Sequence, residues 1–286
     1  MELLRALGVM AEPPGPETVR LTTLLGLPGK AREADYTDLF LFQLYPYASV
    51  YTSAEGQVGG EARDRVAGFW RALNLEIPAE PDHLSALLGL YAAVADRERH
   101  ERDDPRRGAL HTARHALFWE HLVSWLPVYL SRVEQLGSTI YAAWATLLDA
   151  TLRDEARTIG EPAALPRHLQ EAPSLPEPDA GPDEWMDALL APARSGIILA
   201  RADLARCARD LGLGLRAGER RFALRALFEQ NATAMVRWLA TEARTRAAAL
   251  RARPAPDAAI ATWWADRASA TADALDTLRS KETVDA

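Results

Sequence analysis

The chain has 286 residues, of which 48% are hydrophobic and 26% charged, and its formal net charge at pH 7 is −7. This composition is typical of a globular protein long enough for about two domains, and the acidic balance argues against a general nucleic-acid or anionic-membrane binder. With Cys207 as its one cysteine, the chain cannot form an internal disulfide, and no CxxC or zinc spacing surrounds that residue.

The N-terminal stretch carries no targeting signal that we can identify. Its sequence, MELLRALGVMAEPPGP, has a short apolar run that Arg5 and then Glu12 interrupt, and it lacks the basic leader of a signal peptide. No run reaches the 18 or more apolar residues of a membrane span. By elimination, we expect a cytoplasmic protein.

Helical periodicity dominates the first half of the chain. Pro46 should bend or end the first helix, and Pro127 lies inside a longer apolar stripe, where it should kink the helix one turn earlier. The predicted helices lie at about 36–51, 61–75, 84–95, 111–136 and 139–158.

A proline-rich stretch separates this part from a second helical part. Residues 160–182 contain six prolines, so we interpret them as a linker. The sequence therefore predicts an all-α protein, a helical bundle in residues 1–159 followed by a helical, arginine-rich extension over residues 183–286. Helical patterns in the extension lie at about 183–191, 200–211, 217–229, 232–252 and 257–281.

Charge is unevenly distributed along the chain. The segment from Arg194 to Arg253 holds thirteen arginines and five acidic residues, a net charge of +8, so the remainder carries −15. This asymmetry indicates an acidic partner or contact between the two halves, unless it is only a solvated arginine-rich face. The segment also begins like a helix-turn-helix, although Gly218 interrupts the expected recognition helix. A helical DNA-binding regulator is therefore our alternative hypothesis.

No complete catalytic or metal-binding set is present. In the stretch Glu80-Pro81-Asp82-His83, Asp82 is a natural N-cap for the helix that follows, and no nucleophile or oxyanion loop accompanies the Asp–His pair. His111 and His115 could share a metal, but there is no HExxH motif and His121 lies on another face. We expect no catalytic residues, no metal and no cofactor; a metal-dependent enzyme is a third hypothesis.

Three motifs within residues 36–158 form a recognisable series. The first, Tyr36-Thr37-Asp38-Leu39-Phe40, is aromatic-x-x-Leu-Phe, and the second is the turn Glu80–His83 at the head of a helix. The third is a His-Leu-x-x-Trp helix containing His121 and Trp125, followed by a tyrosine-containing helix. In this order they resemble the TorD-type redox-enzyme maturation chaperones, the family that includes DmsD and NarJ.

The resemblance implies an all-helical cytoplasmic chaperone without enzymatic turnover. Such proteins bind the N-terminal segment, often a twin-arginine signal peptide, of a molybdopterin oxidoreductase catalytic subunit and hold it for cofactor insertion. Aromatics of the groove would take the apolar face of the peptide, while Glu80 and Asp82 would pair with its arginines. We expect Glu80→Ala to weaken peptide binding without unfolding the bundle. The implied peptide-binding residues are Tyr36, Leu39, Phe40, Glu80, Asp82, His83, His121 and Trp125.

The resemblance does not cover residues 183–286. This extension could supply the family's last helices, cover the groove, contact a second subunit or drive homodimer formation. With a chaperone role, we expect neither nucleic acid nor membrane as a partner.

Overall fold

A computed structural model describes residues 1–256 and 258–284, with side chains described as far as Leu278. In these residues the chain is helical and forms no β-strand, apart from an isolated bridge between Tyr47 and His83. The all-α prediction is confirmed. Position 257, at the start of the last predicted helix, and positions 285–286, at the end of the predicted extension, lie outside the described residues.

The chain divides into two compact units. The N-terminal unit contains residues 1–50 and 58–170, and the C-terminal unit contains residues 51–57, 171–254 and the helix from 258 onward. Helices α1–α10 are Glu2–Val9, Pro16–Leu24, Glu33–Tyr36, Ala48–Thr52, Gly60–Ala72, Leu84–His100, Asp104–Ala116, Leu126–Leu136, Thr139–Ile159 and Arg167–Gln170; π-helical segments π1 and π2 are Thr37–Gln43 and Leu117–Val123. Helices α11–α16 are Pro182–Leu190, Pro192–Ser195, Arg201–Leu211, Arg220–Gln230, Ala232–Ala252 and Ala258–Val284.

The core of the N-terminal unit is aromatic. The Phe40 ring lies edge-on to Tyr141 and Trp144, with ring centroids 5.1 and 5.8 Å away. The Trp144 indole is fully buried and donates a hydrogen bond to the Leu7 carbonyl at 2.9 Å. A buried indole needs such a partner, so this bond ties α9 to α1.

Pro127 does not kink a continuous helix, and that prediction is wrong. The run that begins as α7 passes into π2 and ends at Ser124 and Trp125, and Pro127 occupies the first turn of the new helix α8. In the first turn the missing proline N–H leaves no helical hydrogen bond unmade. The helical run is therefore interrupted by the π-helical segment and the break after it, not by Pro127.

The core of the C-terminal unit is built largely from small and aliphatic side chains, such as Ala243, Ala247, Ala268 and Ala272. Ion pairs surround it: the Arg246 guanidinium lies 2.9 Å from Asp203 and 2.7 Å from Glu242. Small residues let helices approach closely, and the ion pairs engage arginines of the basic segment.

None of the described helices is both long and apolar enough to cross a membrane.

Candidate functional site

The turn Glu80–His83 packs against the start of helix α4. The Ala48 N–H donates to the Asp82 carbonyl at 3.0 Å, and the Ser49 N–H donates to the Asp82 carboxylate at 3.1 Å. Asp82 is only 1% exposed. A carboxylate at the N-terminus of a helix satisfies an otherwise unpaired donor and favours the positive end of the helix dipole.

Asp82 is therefore not the N-cap of the helix that follows it, and that prediction is wrong. The N-cap of α6 is His83, whose ring Nδ1 accepts a hydrogen bond from the Ser85 N–H at 3.3 Å. The Ser85 hydroxyl lies 2.8 Å from the same nitrogen and also donates to the carboxylate of Glu12. The carboxylate of Asp82 instead accepts from Ser49 of α4, which lies 33 residues earlier in the chain.

Five side chains around this turn influence one another by charge, hydrogen bonding or ring contact, and we call Glu12, Tyr36, Tyr47, Glu80 and His83 the acid–aromatic cluster. The Tyr47 ring lies edge-on to His83 with centroids 4.9 Å apart. Burial, together with the hydrogen bond that the phenol donates to Glu80, holds the pKa of Tyr47 well above its usual range. Burial also raises the pKa of Tyr36, with a contribution from the charges of Glu12 and Glu80.

The pKa of His83 is lower than that of a free histidine, so its ring loses the proton at a lower pH. Its Nδ1 lies 3.6 Å from a Glu12 carboxylate oxygen, which favours the charged ring, but burial outweighs that attraction and lowers the pKa. Glu12 and Glu80 are both exposed. The cluster consequently presents negative charge to solvent beside aromatic rings.

The aromatic-x-x-Leu-Phe motif divides between core and surface. Leu39 is 2% exposed and Phe40 is fully buried, so neither offers a free surface. The next two residues, Leu41 and Phe42, are 48% and 46% exposed on the same segment π1. Sequence reasoning missed these two because four consecutive apolar residues, from 39 to 42, do not show which pair faces the core.

His121 lies on the segment π2, and Trp125 follows it as the N-cap of α8. The His121 ring packs against Phe69 at 5.6 Å, and burial, with a smaller effect of the Arg65 charge, lowers its pKa to about 4. The fully buried Trp125 donates to the His121 carbonyl at 2.9 Å. Helix α5 links π2 to the turn Glu80–His83, since Phe69 contacts His121 while Trp70 donates to the Pro81 carbonyl at 3.4 Å.

Residues 160–170, which belong to the predicted linker, pack on the segment π2, and we call them the covering segment. The Trp119 indole donates to the Gly160 carbonyl at 3.0 Å, and the Arg167 N–H donates to the Glu120 carboxylate at 3.2 Å. His168 is buried, with Nδ1 3.8 Å from the same carboxylate, and its pKa is lowered to about 3, mainly by burial. Sequence reasoning missed His168 because the surrounding prolines show no helical pattern.

The histidines considered for a metal have separate partners. His111 lies 3.0 Å from Glu98, and His115 lies 3.0 Å from the carbonyl of Glu161. Among the residues that the structure describes, no group of three or more His, Cys, Asp or Glu side chains could hold a metal ion. The Cys207 thiol is buried against Met235, and burial raises its pKa to about 12, so it is protonated at neutral pH.

The basic segment of the extension is largely engaged in its own unit. Arg221 pairs with Asp187 at 2.5 Å, and Arg251 pairs with Asp266 at 2.8 Å. Arginines used in this way are less available to a phosphate backbone. Part of the arginine excess of residues 194–253 is therefore balanced by acidic residues elsewhere in the same unit.

The N-terminal part of the chain is similar to known proteins. The family described as nitrate reductase delta subunit matches residues 25–130. Chaperone protein TorD of Vibrio vulnificus (strain YJ016) is 26% identical over 110 residues, 36% of this chain and 51% of the relative. Chaperone protein TorD of Vibrio cholerae serotype O1 (strain ATCC 39315 / El Tor Inaba N16961) is 28% identical over 137 residues, 45% of this chain and 62% of the relative.

The chain thus spans between about half and two thirds of the length of these relatives. No solved structure matches it. The matched residues 25–130 contain both the Tyr36–Phe40 motif and the Glu80–His83 turn. In this N-terminal part, the chain is similar to the nitrate reductase delta subunit family and to the TorD chaperones, which supports a TorD-like family relationship.

Proposed function

We propose that the chain is a cytoplasmic, non-enzymatic assembly chaperone for a molybdopterin oxidoreductase. It binds the N-terminal or twin-arginine signal segment of the catalytic subunit and holds that segment until the cofactor has been inserted. The relatives named as chaperones support this role. The observation that carries it is the acid–aromatic cluster, where the exposed carboxylates of Glu12 and Glu80 stand beside phenol rings.

The cluster fits the chemistry of an arginine-containing peptide. A guanidinium binds carboxylates through charge-assisted hydrogen bonds, and it also stacks on aromatic rings. Glu80 already accepts one hydrogen bond from Tyr47, and an ionised carboxylate has lone pairs for several more. In this proposal Glu80 and Glu12 receive the peptide's arginines, and the exposed Leu41 and Phe42 receive its apolar residues.

Several residues implied by the family resemblance take supporting roles in this proposal. Asp82 holds the turn against α4, and Leu39, Phe40 and Trp125 fill the core beneath the surface. His83 orients the start of α6. Buried side chains of this kind preorganise a binding surface without touching the ligand.

The test is a titration of the full chain with a labelled peptide from the N-terminus of a molybdoenzyme catalytic subunit of the same organism, followed by fluorescence anisotropy. We expect Glu80→Gln to weaken binding about fivefold, the effect of one partly exposed ion pair. The matched control is Glu76→Gln, another exposed carboxylate nearby, which should bind like the wild type.

A version of the peptide in which glutamine replaces each arginine separates the charge effect from apolar contacts. The wild type should bind this peptide more weakly than it binds the arginine peptide. Glu80→Gln should bind the glutamine peptide as tightly as the wild type does. If Glu80→Gln binds the arginine peptide as tightly as Glu76→Gln does, the acid–aromatic cluster is not the site. If no such peptide binds the wild type, the proposed function itself fails.

A further inference from the structure

The C-terminal unit contains an open cavity of about 1000 Å³ that the proposed function does not use. It lies among helices α11, α14 and α15, with the segment before α11 and one residue of α16 completing its wall. The lining is mainly apolar, and its four charged residues, which we call the edge of the cavity, are exposed or half-buried side chains. Its main apolar lining residues are Trp185, Met186, Leu189, Phe228, Val236 and Leu278.

The edge of this cavity is acidic. Of its four charged residues, Arg225 forms an ion pair with Asp183. Asp179 and Glu229 are exposed and have no ion-pair partner among the described side chains. Glu229 stands out, since it is one of five acidic residues in the segment 194–253, which as a whole carries a net charge of +8.

We propose that this cavity binds a basic amphipathic helix of a partner protein. An apolar floor with a charged edge is the usual anatomy of a groove that receives the apolar face of a helix. The volume lies at the upper end of small-molecule pockets, yet its interior lacks the converging polar groups that orient a small ligand. Met186 and Phe228 supply adaptable and flat apolar contacts, and Asp179 and Glu229 select lysine or arginine on the partner.

This inference is independent of the proposed function, because it concerns another unit and uses none of the acid–aromatic cluster. The probe is a fluorescein-labelled helical peptide of about 18 residues, roughly five turns, with leucines along one face and arginines along the other. A peptide of the same composition with the leucine positions scrambled serves as the control. We expect the amphipathic peptide to bind the full chain at least about tenfold more tightly than the scrambled one.

Two pairs of variants locate the site. Ala232→Trp, at an exposed lining position, fills the cavity and should weaken binding about tenfold, whereas Ala248→Trp, exposed on the same helix outside the cavity, should bind like the wild type. Removing both edge charges with Asp179→Asn and Glu229→Gln should weaken binding about fivefold at low salt and have no effect at high salt. Glu184→Gln, exposed on α11 but not in the lining, is the matched charge control.

Binding that is equally strong in Ala232→Trp and the wild type would overturn the proposal, as would equal binding of the scrambled peptide. Glu80→Gln should leave the affinity of this probe unchanged. If Glu80→Gln weakens the probe while Ala232→Trp does not, the probe occupies the acid–aromatic cluster, and the cavity proposal fails while the proposed function stands.

Discussion

The two units of the chain reach stability by different means. In the N-terminal unit, rings such as Phe40, Tyr141 and Trp144 fill the core, and side chains bond to backbone groups far away in sequence. In the C-terminal unit, regular helices pack through small residues, and arginine–carboxylate pairs lie around them. In the N-terminal unit, Glu12, Tyr47 and Glu80 lie outside the helices and Tyr36 directly precedes π1. The candidate site is therefore built where the backbone departs from regular helix.

The difference has an energetic side. A large aromatic core concentrates stability in a few side chains, because each ring buries a large area and leaves a large cavity when removed. The core of the C-terminal unit combines leucines with alanines, and where alanines let two helices come close together, added atoms have no room. Removing a ring is therefore the most informative test of the N-terminal unit, and adding an atom at a close backbone approach is the most informative test of the C-terminal unit.

Removing a ring from the N-terminal unit should have the largest effect. Phe40→Ala deletes a fully buried phenyl group, and we expect the free energy of unfolding to fall by about 3–5 kcal/mol. Phe42→Ala, two residues later on the same segment but nearly half exposed, should cost about 1 kcal/mol or less. Urea denaturation measures both, with hydrogen exchange to assign the loss to residues 1–50 and 58–170. Equal costs would mean that π1 does not divide core from surface as described.

That division could not have been predicted from the sequence, although much else could. The pattern of apolar residues predicts helices at 232–252 and 139–158, and the structure has α15 and α9 there, because a spacing of 3.6 residues is a local property. A π-helical segment changes the number of residues per turn, so the same pattern cannot show which side of residues 37–43 is buried.

The candidate site was predictable only where it depends on local sequence motifs. The resemblance of local motifs singled out Glu80 and Tyr36, which the structure brings into one cluster. The capping of α4 by Asp82 joins positions 33 residues apart, and the packing of His168 on π2 joins positions about fifty apart. Such pairings depend on tertiary structure, which periodicity and spacing do not encode.

Adding one carbon to the C-terminal unit should have the next largest effect. Gly196 ends α12 with φ +70°, and a Cβ there would lie 2.3 Å from the Ala268 backbone nitrogen of α16. We expect Gly196→Ala to lower the free energy of unfolding by about 3 kcal/mol, from backbone strain and overlap with a backbone that cannot move aside.

The matched control is Gly212→Ala, which has nearly the same φ, +65°, at the end of α13 but open space around it. It should cost about 1 kcal/mol, the strain alone. Urea denaturation with hydrogen exchange across residues 171–278 measures the difference between the two variants. If they are equally stable, close packing against α16 does not limit this unit.

The buried histidines of the N-terminal unit make its stability depend on pH. The folded-state pKa of His168 is about 3, below the unfolded value of about 6.5, so the unfolded chain binds the proton first as pH falls. The stability contributed by the neutral ring is present above pH 6.5 and is lost as pH falls, by about 2 kcal/mol between pH 7 and pH 5.

His168→Gln should remove this share of the pH dependence. His121 remains in both proteins, as does Glu120, whose pKa is raised by burial and which titrates in the opposite sense. The difference in slope between variant and wild type, measured by urea denaturation from pH 7 to pH 5, therefore reports on His168. Parallel slopes would show that His168 is accessible to protons in the folded chain and that the covering segment does not bury it.

The smallest expected effect comes from Asp82→Asn, which distinguishes the role of Asp82 from that of Glu80. Asp82→Asn keeps an oxygen that can accept the Ser49 N–H and removes only the charge at the start of α4, so we expect a stability loss of about 0.5 kcal/mol. Because Asp82 is buried, the affinity for an arginine-containing peptide should stay within about twofold of wild type, whereas Glu80→Gln should lower it about fivefold. Urea denaturation and peptide titration on the same samples give both values. A larger loss of affinity in Asp82→Asn than in Glu80→Gln would make Asp82 a ligand of the peptide rather than a support of the turn.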